Sequence, residues 1–101
     1  PVIPVIFNNR NLGMVRQWQS LIYDHRYSQT SLENRSPDFV KFADAFGLKG
    51  RRVTQPSELE EAITEALAES AQGRGYVIDC ATPTRWCTPW STAAITSRNS
   101  C

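Results

Sequence analysis

The chain has 101 residues, a formal net charge of +1 and 41% hydrophobic residues. This length allows one domain at most, and the apolar content is ordinary for a soluble globular protein. Because Lys and Arg are balanced by Asp and Glu, the charge argues against a nucleic-acid partner or an anionic membrane surface.

No apolar run approaches the roughly 20 residues that span a bilayer, and the first residues lack the basic region of a signal peptide. We therefore expect a cytoplasmic protein.

Cys80, Cys87 and Cys101 are odd in number and lack CxxC spacing, which argues against a zinc site or a disulfide framework. The chain begins without Met in an apolar segment, so we expect a piece of a longer protein.

The first predicted element is a buried strand over residues 2–7, a β-branched apolar run that ends at the polar pair Asn8-Asn9. Pro4 cannot donate to a sheet hydrogen bond, so it indicates an edge position, a bulge or an error in the sequence. Apolar residues at helical spacing then predict a helix over residues 12–23, and the polar residues 24–35 predict a loop.

A second helix is predicted to start at Ser36-Pro37-Asp38, where a hydroxyl, a proline and an acid suit the N-cap and first turn. Gly47 is expected to end this helix in a left-handed conformation. Its buried stripe is predicted to consist of Phe39, Phe42, Ala43 and Phe46.

A short strand over residues 50–53 follows, then a third helix that Pro56 opens, a turn at residues 73–75 and a last strand over residues 76–80. The third helix is expected to bury one face and to expose glutamates on the other. The buried face is predicted to be Leu59, Ile63, Ala66 and Leu67, and the glutamates are Glu58, Glu61, Glu65 and Glu69.

This order of strands and helices predicts an α/β fold, with part of a doubly wound parallel sheet and covering helices. In such sheets, ligands bind in the loops at the carboxyl ends of the strands. Residues 8–13 form such a loop. They are therefore the first candidates for a functional site.

This loop offers side-chain amide oxygens, backbone carbonyls and Gly13 between a strand and a helix. Oxygen ligands of this kind suit Mg²⁺, and the free N–H groups of the following helix could help to hold an anion. The alternative is an ordinary turn, because Asn and Gly tolerate left-handed backbone angles.

The segment from Asn8-Asn9 through Leu12-Gly13-Met14-Val15-Arg16-Gln17-Trp18-Gln19 resembles the catalytic subunit of acetohydroxyacid (acetolactate) synthase. In that family, Asn-Asn closes a thiamine diphosphate motif that begins with Gly-Asp-Gly. The resemblance covers residues 1–80, the C-terminal part of the thiamine diphosphate-binding domain. It continues through Tyr23-Asp24-His25-Arg26-Tyr27-Ser28, Pro37-Asp38-Phe39-Val40-Lys41, Ala45-Phe46-Gly47-Leu48-Lys49-Gly50 and Ile78-Asp79-Cys80.

The resemblance implies that the Asn9 side chain and the Asn11 backbone carbonyl bind Mg²⁺, which ties the cofactor diphosphate to the protein. The aspartate of the absent Gly-Asp-Gly would supply the carboxylate. No residue of this chain is expected to be catalytic. The implied cofactor-binding residues are Asn9, Arg10, Asn11, Leu12, Gly13 and Met14.

The resemblance also implies a substrate channel lined by Met14, Val15 and Trp18, where Trp18 favours 2-ketobutyrate as acceptor and contacts channel-blocking herbicides. The alternative for all three side chains is packing in the core. Arg16, His25 and Arg26 could bind an anion or act as a base, but we expect solvated or structural roles.

The implied reaction joins two pyruvates, or pyruvate and 2-ketobutyrate, with loss of carbon dioxide, in branched-chain amino acid biosynthesis. The glutamate that activates the cofactor and the domain that contacts FAD lie outside this sequence. The full-length subunit is expected to form a homodimer or tetramer, with a possible regulatory subunit. We expect the 101-residue chain alone to be inactive.

After Cys80 the resemblance stops, and residues 81–101 form an atypical tail. Reverse translation of the segment from Thr82, read in a shifted frame, gives Pro-Asp-Glu-Met-Val-Tyr-Pro-Met-Val, which resembles the segment that the family has there. We therefore expect this tail, with Trp86 and Trp90, to be out of frame. The nucleotide sequence tests this directly.

Two alternatives stay open. One is another thiamine diphosphate enzyme of the same fold, such as glyoxylate carboligase or a 2-oxo acid decarboxylase, although the run Met14-Val15-Arg16-Gln17-Trp18 argues against these. The other is a small non-catalytic α/β module in which Asn8-Asn9 is an ordinary turn.

Overall fold

The computed structural model describes residues 1–83. The elements are β1 (Val5–Asn8), α1 (Gly13–Leu21), α2 (Phe39–Ala45), β2 (Lys49–Val53), α3 (Pro56–Ala71) and β3 (Tyr76–Ala81). Their order confirms the predicted strand, helix, helix, strand, helix, strand. The chain divides into two compact units. The first contains Pro1–Asn8 and Pro37–Thr82, and the described part of the second is Asn9–Ser36 with Pro83.

The first unit is built on a three-stranded sheet with the order β1-β3-β2. Both pairs of strands are parallel, which confirms the predicted sheet type. β1 lies at one edge of this sheet, and Pro4 immediately precedes it. The Pro4 carbonyl accepts a hydrogen bond from the Ile78 N–H at 2.9 Å, so this proline contributes an acceptor at the edge of the sheet although it has no N–H to donate.

One face of the sheet packs against α3 and forms the core of the first unit. Its buried residues are Val53, Ala62, Ala66, Tyr76, Ile78 and Cys80, with Ile3 and Leu59 packed against them. The predicted buried face of α3 was partly wrong, because Ile63 and Leu67 are exposed. Instead Ala62 and Glu69 are buried. The Glu69 carboxylate forms salt bridges with Lys49 and Arg74.

α2 covers the opposite face of the sheet. A Cβ added to Gly50 would lie only 3.3 Å from the Ala43 Cβ. The small residues Gly50 and Ala43 therefore let this helix approach β2 closely. Of the predicted stripe, Ala43 is buried and Phe39 half-buried, but Phe42 and Phe46 are exposed and contact each other edge to face at 5.1 Å. The prediction that those two phenylalanines are buried was wrong.

Both helices of the first unit, α2 and α3, have well-defined ends. Asp38, rather than the predicted Ser36, caps α2, because its carboxylate accepts hydrogen bonds from the Val40 and Lys41 N–H groups. Gly47 ends α2 with a φ of 70°, as predicted, and Gly73 ends α3 with a φ of 78°. At both ends the next residue's N–H returns to a carbonyl five residues back, which completes a Schellman motif.

The second unit consists of α1 and the segment that follows it. α1 confirms the predicted helix with slightly shorter bounds, and residues 24–35 contain turns and no helix, as expected for a loop. An isolated antiparallel bridge joins Asn11 to Ser31. This bridge ties the residues before α1 to the loop that comes after it.

Within residues 1–83, no helix is long and apolar enough to cross a membrane. Cys80 is a free thiol buried in the core, near the end of β3. Residues 84–101, on which most of the proposed out-of-frame tail falls, lie outside the described residues.

Candidate functional site

The loop after β1 is shaped by two asparagines that bond to each other. The Asn9 side-chain oxygen Oδ1 accepts a hydrogen bond from the Asn11 backbone N–H at 3.0 Å. In return, the Asn11 side-chain Nδ2 donates to the Asn9 carbonyl at 2.7 Å. Arg10 between them has a φ of 58°, so the left-handed residue of this turn is an arginine and not an Asn or Gly.

The bridge to the loop 30–32 fixes the backbone on either side of Asn11. The Leu12 N–H donates to the Thr30 carbonyl at 2.9 Å, and the Leu32 N–H donates to the Arg10 carbonyl at 2.7 Å. Asn11 lies between these bonds, and none of the hydrogen bonds of the described residues ends on its carbonyl. This carbonyl is therefore open to a further ligand.

The oxygens of this loop fit a hard divalent cation. Asn9 Oδ1 accepts one hydrogen bond and keeps a second lone pair, and the Asn11 carbonyl keeps both of its own. Amide and carbonyl oxygens are normal ligands of Mg²⁺, but they bring no negative charge. In the described part of the chain, no three His, Cys, Asp or Glu side chains gather into a metal site. A carboxylate would have to come from elsewhere.

The start of α1 suits an anionic group. Leu12 is the N-cap and makes no side-chain cap, and the first turn contains no acidic residue. The first N–H groups of the helix are thus left without an intrahelical acceptor. A Cβ on Gly13 would lie 3.2 Å from the Asn9 Nδ2, so glycine lets the Asn9 amide lie against the first turn.

The predicted channel residues share one exposed face of α1. Trp18 is 55% exposed, and Met14 and Val15 are exposed as well. The alternative that these side chains fill the core does not hold in this structure. A cluster of exposed apolar side chains on one helix face is typical of a surface that binds a ligand or another part of a protein.

The polar residues on the inner face of the same helix were not predicted from the sequence. Ser20 is buried, and its hydroxyl lies 2.9 Å from the Tyr27 hydroxyl. The Arg16 guanidinium lies over the Tyr27 ring at 3.8 Å, which agrees with the structural role expected for Arg16. Helical spacing of apolar residues predicted the helix but could not show that its polar side is the buried one.

A second missed group of residues lies on the α2 face of the sheet. Asp79 is fully buried, and its Oδ2 accepts a hydrogen bond from Arg52 Nε at 3.1 Å. The same guanidinium reaches Asp38 Oδ1 at 3.3 Å. The Lys41 N–H bond, together with the Arg52 charge, lowers the pKa of Asp38 below its usual 3.8. These contacts link β3 and β2 to the N-terminus of α2.

Residues 1–80 match the family described as "Thiamine pyrophosphate enzyme, C-terminal TPP binding domain". The chain belongs to this family. Thiamine pyrophosphate is the same compound as thiamine diphosphate, so the match confirms the cofactor class and the α/β fold that the resemblance implied. The loop between β1 and α1 lies within the matched residues.

The relatives of this TPP-binding domain confirm the resemblance to acetolactate synthase catalytic subunits. It is 44% identical over 79 residues to the acetolactate synthase isozyme 3 large subunit of Escherichia coli, covering 78% of this chain and 14% of that protein. It is 49% identical over 79 residues to a probable acetolactate synthase large subunit of Methanocaldococcus jannaschii. This match covers 78% of this chain and 13% of that protein. The mitochondrial acetolactate synthase catalytic subunit of Saccharomyces cerevisiae is 54% identical to this chain over 68 residues. This match covers 67% of this chain and 10% of that protein. The chain therefore spans a small part of the length of these relatives.

Proposed function

We propose that this chain is part of an acetolactate synthase catalytic subunit, and that its loop between β1 and α1 holds the diphosphate end of thiamine diphosphate through Mg²⁺. The observation that carries this proposal is that the Asn11 carbonyl accepts no hydrogen bond within residues 1–83, in a loop whose backbone is held by the Asn9 side-chain oxygen and which leads into a helix without a side-chain cap. An ordinary turn would not require a loop whose oxygens and N–H groups are left available for a ligand.

Each part of the loop has its own task in this proposal. Asn9 Oδ1 and the Asn11 carbonyl supply neutral ligands to the metal, and the reciprocal bonds between these asparagines hold them in place. The first N–H groups of α1, at Gly13 and Met14, face the negative charge of the diphosphate. Arg10 and Leu12 belong to the same cofactor-binding stretch through their bonds to the loop 30–32.

The cofactor, when bound, supplies the carbanion chemistry that lets pyruvate lose carbon dioxide and add to a second 2-oxo acid. The task of this chain is to position the cofactor and to shape the channel for the acceptor, which is a second pyruvate or 2-ketobutyrate. The activating glutamate, FAD, the dimer or tetramer and any regulatory subunit belong to the full-length cytoplasmic subunit in this proposal.

Exposed apolar side chains support the proposal that the chain is part of a larger subunit. Val5 and Phe7 on β1, Phe42 and Phe46 on α2, and Trp18 on α1 are all exposed. So much apolar surface on a chain of this size is more than a monomeric soluble domain normally leaves in water. In the proposed subunit, other segments would cover it.

Calorimetry on the full-length subunit that contains this chain tests the proposed site. We expect thiamine diphosphate to bind only with Mg²⁺ present. Asn9→Ala should weaken this binding by about 100-fold, in the range found when parts of a metal site are lost. Asn11→Ala is the matched control, because only its backbone carbonyl faces the metal. Its effect should stay within about tenfold, from loss of the 2.7 Å bond to Asn9.

Cofactor binding that does not depend on Mg²⁺ would contradict the assigned metal ligands. No cofactor binding at all would favour a non-catalytic α/β module. Condensation of 2-oxo acids by the purified 101-residue chain would contradict the view that it supplies only part of the active site.

A further inference from the structure

α1 is turned so that its polar side faces inward. Ser20 is the buried residue of this helix, whereas Trp18 is more than half exposed. Residues two positions apart lie about 200° apart around a helix, so burying Ser20 places Trp18 on the opposite side. The hydrophobic effect alone would favour the reverse orientation. In the described residues, specific polar contacts hold this helix in its observed rotation.

Tyr27 makes most of those contacts. Its hydroxyl lies 2.9 Å from Ser20 Oγ, and its ring lies under the Arg16 guanidinium at 3.8 Å. Arg16 and Ser20 are four residues apart and lie on the same side of α1. One aromatic side chain thus contacts the polar face of the helix at two successive turns.

Few other contacts could replace those of Tyr27. Among the residues that the structure describes, three buried polar atoms of the same unit have no hydrogen-bond partner: Arg16 Nε, Gln19 Oε1 and Thr30 Oγ1. A second side-chain hydrogen bond joins this face of α1 to the loop, from Gln19 Nε2 to the Ser28 carbonyl at 3.1 Å. The polar face is therefore packed but incompletely bonded. The other hydrogen bond of Ser20 Oγ runs to the Arg16 carbonyl of the same helix at 3.1 Å, so within residues 1–83 the bond to Tyr27 is the one that joins Ser20 to the loop.

The backbone of the loop is shaped to present Tyr27 to the helix. Asp24, His25 and Gln29 all have positive φ, which is uncommon for residues other than glycine. The His25 N–H donates to the Gln19 carbonyl at 3.0 Å, which folds the loop back along α1. These three conformations turn the chain sharply on both sides of Tyr27.

We propose that Tyr27 is a positioning residue for acceptor specificity, because it sets the rotation of α1 and so directs Trp18, Met14 and Val15 into the substrate channel. This inference rests on the proposed function. Tyr27 touches neither cofactor nor substrate in this account. It acts through Ser20 and Arg16 on the opposite face of the helix.

The test measures the preference for 2-ketobutyrate over pyruvate as acceptor in the full-length holoenzyme, with both acids in competition. Trp18→Leu establishes the effect of losing the channel side chain. Tyr27→Phe removes only the hydroxyl and keeps the ring under Arg16. Ser20→Ala removes the same bond from the other side, together with the bond from Ser20 Oγ to the Arg16 carbonyl within the helix. Tyr23→Phe is the control, since the Tyr23 side chain is exposed.

We expect Tyr27→Phe and Ser20→Ala each to lower the preference about threefold, the size expected for loss of one hydrogen bond. The double variant should show no further loss, and neither change should matter once Trp18 is Leu. In both single variants, the rate of amide hydrogen exchange in α1 of the cofactor-free subunit should also rise about threefold. Tyr23→Phe should match the parent in both measurements.

The outcomes separate this inference from the proposed function. If Trp18→Leu shifts the preference and Tyr27→Phe does not, the proposed function stands and the positioning role is wrong, even if hydrogen exchange rises. If Trp18→Leu leaves the preference unchanged, the channel assignment fails, and the role of Tyr27 fails with it.

Discussion

The side-chain nitrogen of Asn9 lies so close to Gly13 that a Cβ on residue 13 would be only 3.2 Å from it. This is tighter than ordinary van der Waals contact, so a larger residue at position 13 would push the Asn9 amide aside. The same amide carries the oxygen that we assign to the metal. The glycine at the start of α1 is therefore tied to the geometry of the proposed magnesium ligand.

Gly13→Ala in the full-length subunit should weaken Mg²⁺-dependent binding of thiamine diphosphate by about threefold to tenfold, because a displaced ligand loses part of its bond. Calorimetry measures this affinity. Gly73→Ala is the matched control, because its φ of 78° makes alanine strained while a Cβ there would contact nothing within 4 Å. It should lower the melting temperature and leave cofactor affinity unchanged. Equal affinities for the parent and Gly13→Ala would contradict the role given to Asn9.

Trp18→Leu should leave pyruvate condensation within about twofold of the parent and reduce the preference for 2-ketobutyrate about tenfold, since a smaller side chain discriminates less against the smaller acceptor. Sensitivity to channel-blocking herbicides should fall as well. Product ratios from mixed acceptors measure the effect. Phe46→Leu, another exposed aromatic residue but on α2, should change none of these. Unchanged ratios in Trp18→Leu would exclude it from the channel.

Arg52→Met should destabilise the fold by about 2 to 3 kcal/mol, because it leaves the fully buried Asp79 carboxylate without its partner. Urea denaturation of the subunit measures the loss. Arg51→Met is the control, since its partners Glu61 and Glu65 are exposed, and its effect should be much smaller. Adding Asp79→Asn to Arg52→Met should recover part of the loss. A double variant less stable than Arg52→Met alone would show that the buried charge is not the cause.

The sequence predicted the elements well because their boundaries depend on local signals. Gly47 required a left-handed conformation at a helix end, and Pro56 opened a helix, as the structure shows. The faces of the helices were less predictable. In α3, Ala62 faces the sheet and the larger Ile63 is exposed, because Tyr76 and Ile78 already fill the space beneath the helix. An apolar pattern does not distinguish between a face that packs on the sheet and one left for another partner.

In the candidate site, too, the location was predictable from the sequence and the detailed contacts were not. The position of the loop after β1 followed from the order of the strands and helices, but its internal bonds did not. Arg10 takes the left-handed conformation expected of Asn or Gly, and Tyr27 reaches Ser20 across a loop with no regular pattern. Such contacts depend on backbone angles of single residues, which composition and spacing do not specify.

Glu69 should make stability depend on pH in the acidic range. Its carboxylate accepts bonds from Arg74 Nε at 2.6 Å and Lys49 Nζ at 2.7 Å, and these bonds lower the pKa of Glu69 from 4.5 to about 2. Because the pKa is lower in the folded state, the charged form stabilises the fold above about pH 4.5. This contribution should disappear as the pH falls from 4.5 towards 2.

Glu69→Gln should therefore lower the melting temperature at neutral pH, and the difference from the parent should shrink steadily between pH 4.5 and 2. Glu60→Gln is the matched control on the same helix, because the Glu60 side chain makes no ion pair among the described residues. Its melting curve should run parallel to that of the parent across the whole range. A gap between Glu69→Gln and the parent that stays constant down to pH 2 would mean that packing, and not the charge on Glu69, accounts for its burial.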